Sequence, residues 1–190
     1  MEFVQPIRDT KKLESMKKVL LAGPFGQRNH LLFVLGINSG LRVSDLLSLK
    51  LYDIVDEKGH PMDRIKLREG KTGKGKDFPL GKNAQKSIKD YYASLDNQEP
   101  EQPVFRSRKG GPISRVQAWQ ILSDAAESVG ITDSIGTHTL RKTFGYHAYL
   151  QGADITRIQK LLNHSSPGVT LAYIGITQDE LDDIVLNLNL

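Results

Sequence analysis

A mainly helical domain carrying one small antiparallel β-sheet, an α+β arrangement, is what this 190-residue sequence predicts. Three observations carry that prediction. Apolar residues recur at helical spacing in segments spread along most of the chain. One stretch, Asp63 to Glu69, alternates polar and apolar residues instead, as a half-buried strand does. The glycine-rich run Gly70 to Gly75 follows it directly and can turn the chain back on itself.

The elements follow in order. Leu13, Met16, Leu20 and Leu21 predict a first helix over Thr10–Leu21, stopped by Gly23-Pro24. A second, strongly apolar helix is expected near Arg28–Asn38, and a short third one near Arg42–Leu49, with Leu46, Leu47 and Leu49 toward the core. The strand at 63–69 turns at Gly70–Gly75 and returns over Lys76–Leu80; Tyr52–Val55 is read as a further strand of the same sheet. Helices resume at Ala84–Leu95. Ser114 and Gln117 form a capping box that opens a helix closed at Gly130. Another helix runs from about His138 to Leu150, ended by Gly152, and Asp154 caps the next, Ile155–Leu162. A second capping box, Thr177 with Glu180, opens a last helix with Leu181, Ile184, Val185 and Leu188 on one side.

Composition narrows the function classes. Lysine and arginine number 26 against 22 acidic residues, a net charge of +4, which suits a polyanionic partner without proving one. There are no cysteines, so disulfides, thiol nucleophiles and Cys-ligated zinc are excluded. The N-terminus has no signal-peptide pattern. The longest apolar run, Leu31–Leu35, is too short to span a bilayer. A soluble, cytoplasmic protein is expected. No acidic cluster and no His-Glu-x-x-His spacing suggests a metal site, so no metal and no cofactor is expected.

Several residues can carry chemistry. Arg42 follows the turn Ser39-Gly40-Leu41 and begins a helix, where free N–H groups and a planar guanidinium suit a phosphate; taken alone, it reads first as a surface arginine. Lys71 sits at the hairpin tip and can protonate a leaving oxygen if a phosphate holds it close, or it is a solvated loop lysine beside Lys74 and Lys76. His138 and Arg141 share one helix face, a pairing that can bind phosphate and move a proton but is common on helix surfaces. His147 reads as structural. Tyr173 stands nine residues after His164; its phenol, with a pKa of about 10, is a poor nucleophile unless cations stabilise the charge at phosphorus and favour loss of its proton.

Taken together, these segments resemble the tyrosine recombinase (phage integrase) family over about Ala22–Ile176. The first arginine box is similar to Ser39-Gly40-Leu41-Arg42-Val43-Ser44-Asp45. The hairpin lysine is similar to Lys71 in Gly70-Lys71-Thr72-Gly73, followed by Phe78-Pro79-Leu80. The His-x-x-Arg box resembles His138-Thr139-Leu140-Arg141. The later histidine box resembles Leu162-Asn163-His164, with Asn163 where glycine is commoner, and the nucleophile position matches Tyr173. Val104 to Gly111 resembles the connector before the helix that crosses DNA.

The resemblance implies the family's catalytic-domain fold and a mechanism without ATP or metal. Tyr173 attacks the scissile phosphate and forms a 3′-phosphotyrosyl bond. Lys71 protonates the leaving 5′-hydroxyl, and Arg42 and Arg141 clamp the phosphate. His138 accepts the tyrosine proton, His164 donates to the phosphate, and Asp45 braces Arg42 or the fold. Arg106, Arg108, Lys109, Arg115, Lys74 and Lys142 are the expected DNA contacts. The expected partner is double-stranded DNA, with a tetramer assembled on it through the C-terminal helix, residues 177–190, docking in cis or in trans. The chain is read as a single catalytic domain, 1–190, without the family's usual preceding core-binding domain. A type IB topoisomerase, which rejoins the same strand, and a DNA-binding module that has lost catalysis are the competing readings.

Overall fold

The computed structural model describes residues 4–136 and 138–188, and the side chains of all of these except Asp179 and Ile184. Thr137, just before His138, and the Ile184 side chain expected on the apolar side of the last helix therefore lie outside the description. Among the described residues ten helices and two strands follow one another. None of the helices is long and apolar enough to cross a membrane.

The centre is α2 (Gly26–Ser39), in which Leu31, Leu32, Phe33, Val34 and Leu35 are all buried. A helix apolar on nearly every side must be covered on every side, and α1 (Thr10–Ala22), α5 (Lys82–Ala93) and α7 (Thr139–Leu150) pack around it. The α2–α7 approach is close because Gly36 has no side chain: a Cβ there would stand 2.4 Å from Leu140 Cδ1. In α1, capped by the Asp9 carboxylate on the Lys11 amide, Leu13, Met16 and Leu20 face inward while Leu21 points out. Helix α6 (Arg115–Ser128) opens on the expected capping box: Ser114 Oγ accepts from the Gln117 amide, and Gln117 returns the bond to the Ser114 amide.

The sheet is a two-stranded hairpin, β1 (Arg64–Arg68) antiparallel to β2 (Gly75–Pro79). Ile65 lies opposite Phe78, both buried. The third strand expected at Tyr52–Val55 is instead a helical turn, α4 (Leu51–Ile54). Asp53 Oδ2 accepts from the Lys50 amide at 2.8 Å and the Val55 amide bonds back to Leu51, which closes the turn, while the Leu51 and Tyr52 amides donate to the Gln102 and Pro100 carbonyls outside it. Leu51 and Ile54, three apart, both reach the core, and only Val55 touches another extended residue, Pro61.

A second, smaller core lies beyond α7. Tyr146, Ile158, Leu162 and Ile174 are buried together, with Phe144 and Tyr173 packed against them. Each fully buried aliphatic side chain here contributes about 1.5–3 kcal/mol, which seats α8 (Ile155–Leu162) and α9 (Pro167–Ile174) on α7. Helix α9 was not foreseen as an element. Its start is nevertheless conventional: Ser166 caps the Val169 amide and Pro167 occupies the first turn. The N-terminal segment straps this layer down, with Arg8 donating to the Gly175 carbonyl at 2.7 Å and the Ile7 amide donating to Thr143 Oγ1 at 2.9 Å. His147 binds the Ile7 carbonyl from α7, which fits its structural reading. The short helix α3 (Val43–Leu47) and the last helix α10 (Gln178–Leu188) complete the chain.

Candidate active site

Three turns meet at one end of α7. Arg42 is the N-cap of α3, just after Gly40, whose φ of 60° ends α2 in the left-handed region. His138 caps α7, and Arg141 lies one turn in. His164 follows Asn163, which closes α8 with φ 54°, the left-handed conformation expected of the residue replacing glycine.

Arg141 joins the three. Its side chain is buried, and its two terminal nitrogens donate to the carbonyls of Gly40 and Leu162, one in the Arg42 turn and the other in the His164 turn. Its guanidinium also lies against the Tyr173 phenol. Tyr173 reaches the site from α9 of the same chain. Its hydroxyl is 3.0 Å from His138 Nδ1, and its ring meets His164 edge-on with centroids 4.6 Å apart. His164 Nδ1 is 3.2 Å from Thr170 Oγ1, a buried hydroxyl on α9.

Behind Arg42 stand two buried carboxylates. Asp45 Oδ2 is 3.9 Å from Arg42 Nη1, and Asp45 Oδ1 accepts from the Gly70 amide of the hairpin. Asp45 thus holds the hairpin turn, with Arg42 in ion-pair range but not hydrogen-bonded to it. Glu69, which was not singled out in the sequence, lies closer, 2.9 Å from the same nitrogen. The signal for it was present: strand alternation puts Ile65, Leu67 and Glu69 on one face, and a carboxylate on the inward face needs a cation. Lys76 was also not singled out; its ammonium donates to the Leu161 carbonyl and stands 3.9 Å from Glu69 Oε1.

The cluster sets the protonation states. Burial, then the Arg141 and Arg42 charges, push the His164 imidazole down to about 4. Burial and the charges of Arg141, Arg115, Lys142 and Arg42 push His138 down as well. Both rings are then neutral near pH 7, and His138 is able to accept a proton. Burial raises the Tyr173 phenol above its ordinary value, against the pull of Arg141 and Arg42. The arginines alone therefore do not ionise it, and the proton needs an acceptor. Burial would lift the Glu69 carboxyl too, but bonds from Thr72, Arg42 and Asn163 outweigh it and hold it at about 2. Burial and the nearby arginines bring the Lys76 ammonium down to about 8, with Glu69 opposing.

The structure thus gathers Arg42, His138, Arg141, His164 and Tyr173, with Asp45 behind them. It does not bring in Lys71, which is exposed on the hairpin turn and bonded to no described side chain. Of the residues expected to touch DNA, Arg106, Arg108 and Lys109 are exposed on the connector, Lys74 is exposed on the hairpin, and Arg115 is exposed at the first turn of α6 and near enough to act on His138. Lys142, also expected to touch DNA, is not exposed. It is buried, with its ammonium 5.2 Å from the centre of the Tyr173 ring, because α7 turns that face into the layer beneath α9. A cavity of about 970 Å³ between the α1–α2 junction and α6 contains none of the clustered residues.

Comparison with known proteins gives the family. The phage integrase family matches residues 9–180. A protein of Bacillus subtilis strain 168 called probable integrase/recombinase YoeC is 42% identical over 179 residues, 94% of this chain and 93% of that protein. Tyrosine recombinase XerC of Thermodesulfovibrio yellowstonii is 35% identical over 83% of this chain, which spans 53% of that protein. Tyrosine recombinase XerA of Pyrococcus furiosus is 34% identical over 93% of this chain, which spans 60% of that protein. The chain is thus little more than half as long as these two Xer relatives. A crystal structure of XerA recombinase superposes with a TM-score of 0.76 at 22% identity, over 98% of this chain and 66% of that one. A λ integrase dimer bound to a COC′ core site does so with 0.70 at 19%, over 93% and 51%. At those identities the structural likeness is one of fold, whereas the sequence matches establish kinship. The chain belongs to the phage integrase family, the tyrosine recombinases, and has the fold of their catalytic domain.

Proposed function

We propose that this chain is a site-specific recombinase that cuts and rejoins double-stranded DNA, with Tyr173 as nucleophile. The observation that carries the reading is the Tyr173 hydroxyl held 3.0 Å from a neutral His138 and beside the buried Arg141 guanidinium. The phenolic oxygen attacks the scissile phosphorus while its proton passes to His138. Arg42 and Arg141 hold the non-bridging oxygens, and His164 donates to one of them. The bond to the 5′ oxygen breaks, and Lys71, brought in from the hairpin as DNA seats against it, supplies the proton. Attack by a second 5′-hydroxyl on the phosphotyrosine reverses these transfers. The clustered cations provide the charge stabilisation. Such an enzyme acts where the chromosome is, in the cytoplasm at the nucleoid. The named relatives are integrases and recombinases, so the topoisomerase and inactive-module readings have no comparable support.

Helix α10 leaves Leu181, Val185, Leu186 and Leu188 exposed, although its Thr177–Glu180 capping box is formed. A second copy of the chain is the proposed cover for this face, assembling a tetramer on DNA.

Four outcomes are expected. Incubation with a library of randomised nicked duplexes traps strands covalently on the wild-type chain. Tyr173→Phe traps none, and Lys71→Ala slows trapping by about 10²–10⁴-fold, the range for losing a general acid. An adduct that survives Tyr173→Phe would refute the assignment.

Trapping at subsaturating DNA falls as pH drops. His138 has its pKa lowered from 6.5, so the neutral, accepting form persists below that pH and is lost only as the solution passes through the depressed value. A rate that increases on acidification contradicts a His138 base.

Affinity for duplex DNA falls steeply with salt. If Lys74, Arg106, Arg108, Lys109 and Arg115 each neutralise a phosphate, log K against log salt has a slope of roughly −4 to −5, and Arg108→Ala reduces it by about 1. A flat salt response removes these residues from the interface.

Light scattering on the DNA-bound full chain shows a higher oligomer than residues 1–176 on the same DNA. Equal masses would place the α10 face in some other role.

A further inference from the structure

Glu69 lies where three separate segments of the site meet. Its carboxylate, 2% exposed, stands 2.9 Å from Arg42 Nη1 in the first arginine turn. It accepts from Thr72 Oγ1 at 2.7 Å, inside the hairpin turn that carries Lys71. It accepts from Asn163 Nδ2 at 3.3 Å, in the turn that carries His164. The Lys76 ammonium, 3.9 Å away, reaches the same turn through the Leu161 carbonyl. The Glu69 backbone closes the hairpin as well, its amide donating to Lys74 O and its carbonyl accepting from the Gly73 amide.

A carboxylate among cations that must hold a phosphate competes with the substrate, so its presence needs a reason. Arg42, Arg141 and Lys76 repel one another when gathered in a partly buried place, and an anion at their centre offsets that repulsion. Glu69 pairs with Arg42 at Nη1 as an ion pair, with no hydrogen bond formed by that nitrogen. An arginine fork whose one nitrogen faces a carboxylate keeps its other edge, Nε and Nη2, to meet two phosphate oxygens. The carboxylate stays ionised at any working pH, since Thr72, Arg42 and Asn163 hold it at about 2 against burial.

We propose that Glu69 is a positioning residue for strand cleavage, presenting the free edge of Arg42 to the phosphate and, through Thr72 and Asn163, tying the Lys71 hairpin to the His164 turn. The inference rests on the recombinase reading of the same site. It gives the asparagine at 163 a task that a glycine there would not perform.

The test uses the full chain and a nicked duplex built on the strand most enriched by wild-type trapping, with single-turnover adduct formation followed at saturating DNA. Glu69→Gln keeps the shape and removes the charge. It is expected to slow the covalent step tenfold or more, with the DNA dissociation constant changed less than twofold. Asn163→Gly suits the left-handed backbone and removes only the amide. It is expected to slow the step severalfold in the wild-type background and not at all in the Glu69→Gln background. Hydrogen exchange of the Gly70 and Gly73 amides should quicken in both variants while the α2 amides stay protected. Glu69→Gln cleaving at the wild-type rate, a rate loss no larger than the loss of folded protein seen by circular dichroism, or independent effects of the two substitutions would overturn the proposal. A wild-type chain that forms no adduct overturns the recombinase reading and this proposal with it. A normal wild-type adduct with an equally fast Glu69→Gln overturns this proposal alone.

Discussion

The buried guanidinium of Arg141 donates to the carbonyls at the ends of two helices, Gly40 after α2 and Leu162 in the last turn of α8. Helix C-termini leave carbonyls without intrahelical partners and carry partial negative charge. One arginine takes a carbonyl from each terminus, and both termini compensate one buried cation. The turn after Gly40 places Arg42, and the turn after Leu162 places His164. The site therefore depends on this single side chain for its relative geometry, before any phosphate is considered. Gly40 cannot be replaced without cost, because its φ is 60° and a Cβ would stand 2.6 Å from Phe144 Cδ1.

Charge balance is the second constraint. Gathering arginines, a lysine and two histidines in one place is unfavourable unless something offsets their repulsion. The structure does this in two ways. Asp45 and Glu69, both buried, stand behind Arg42. The histidines remain uncharged, since burial and the same arginines depress them. The result is a cationic cluster that is internally compensated, around a phenol that burial keeps protonated against the pull of the arginines.

Much of this was legible in the residues because local signals dominate there. The capping boxes at Ser114 and Thr177 and the Asp154 cap follow from side chains bonding their own backbone within a few residues, and the left-handed Asn163 from the tolerance of asparagine for that conformation at a helix end. The expected strand at Tyr52–Val55 failed because four residues cannot reveal their period, and the Asp53–Lys50 bond closed a helical turn. Helix α9 has only its Ser166-Pro167 start as a local signal, because in eight residues it buries just Thr170 and Ile174 and shows no apolar stripe. Lys142 is expected to touch DNA, yet its helix face is turned beneath Tyr173. Lys71 stays outside the cluster on an exposed turn, where nothing among the described residues pulls it in.

By itself, the sequence determined the fold class, the helix boundaries set by caps and glycines, the family, and the types of residue able to hold a phosphate. Those follow from neighbours along the chain and from the order of the motifs. Only the tertiary structure decided which charges meet: that Arg141 is buried on two helix ends, that Glu69 pairs with Arg42 across 27 positions of chain, and that Tyr173 reaches His138 from its own protomer. The physical reason is that an ionisable side chain takes its state from whatever surrounds it in space, and those surroundings come from segments with no local relation to it in sequence.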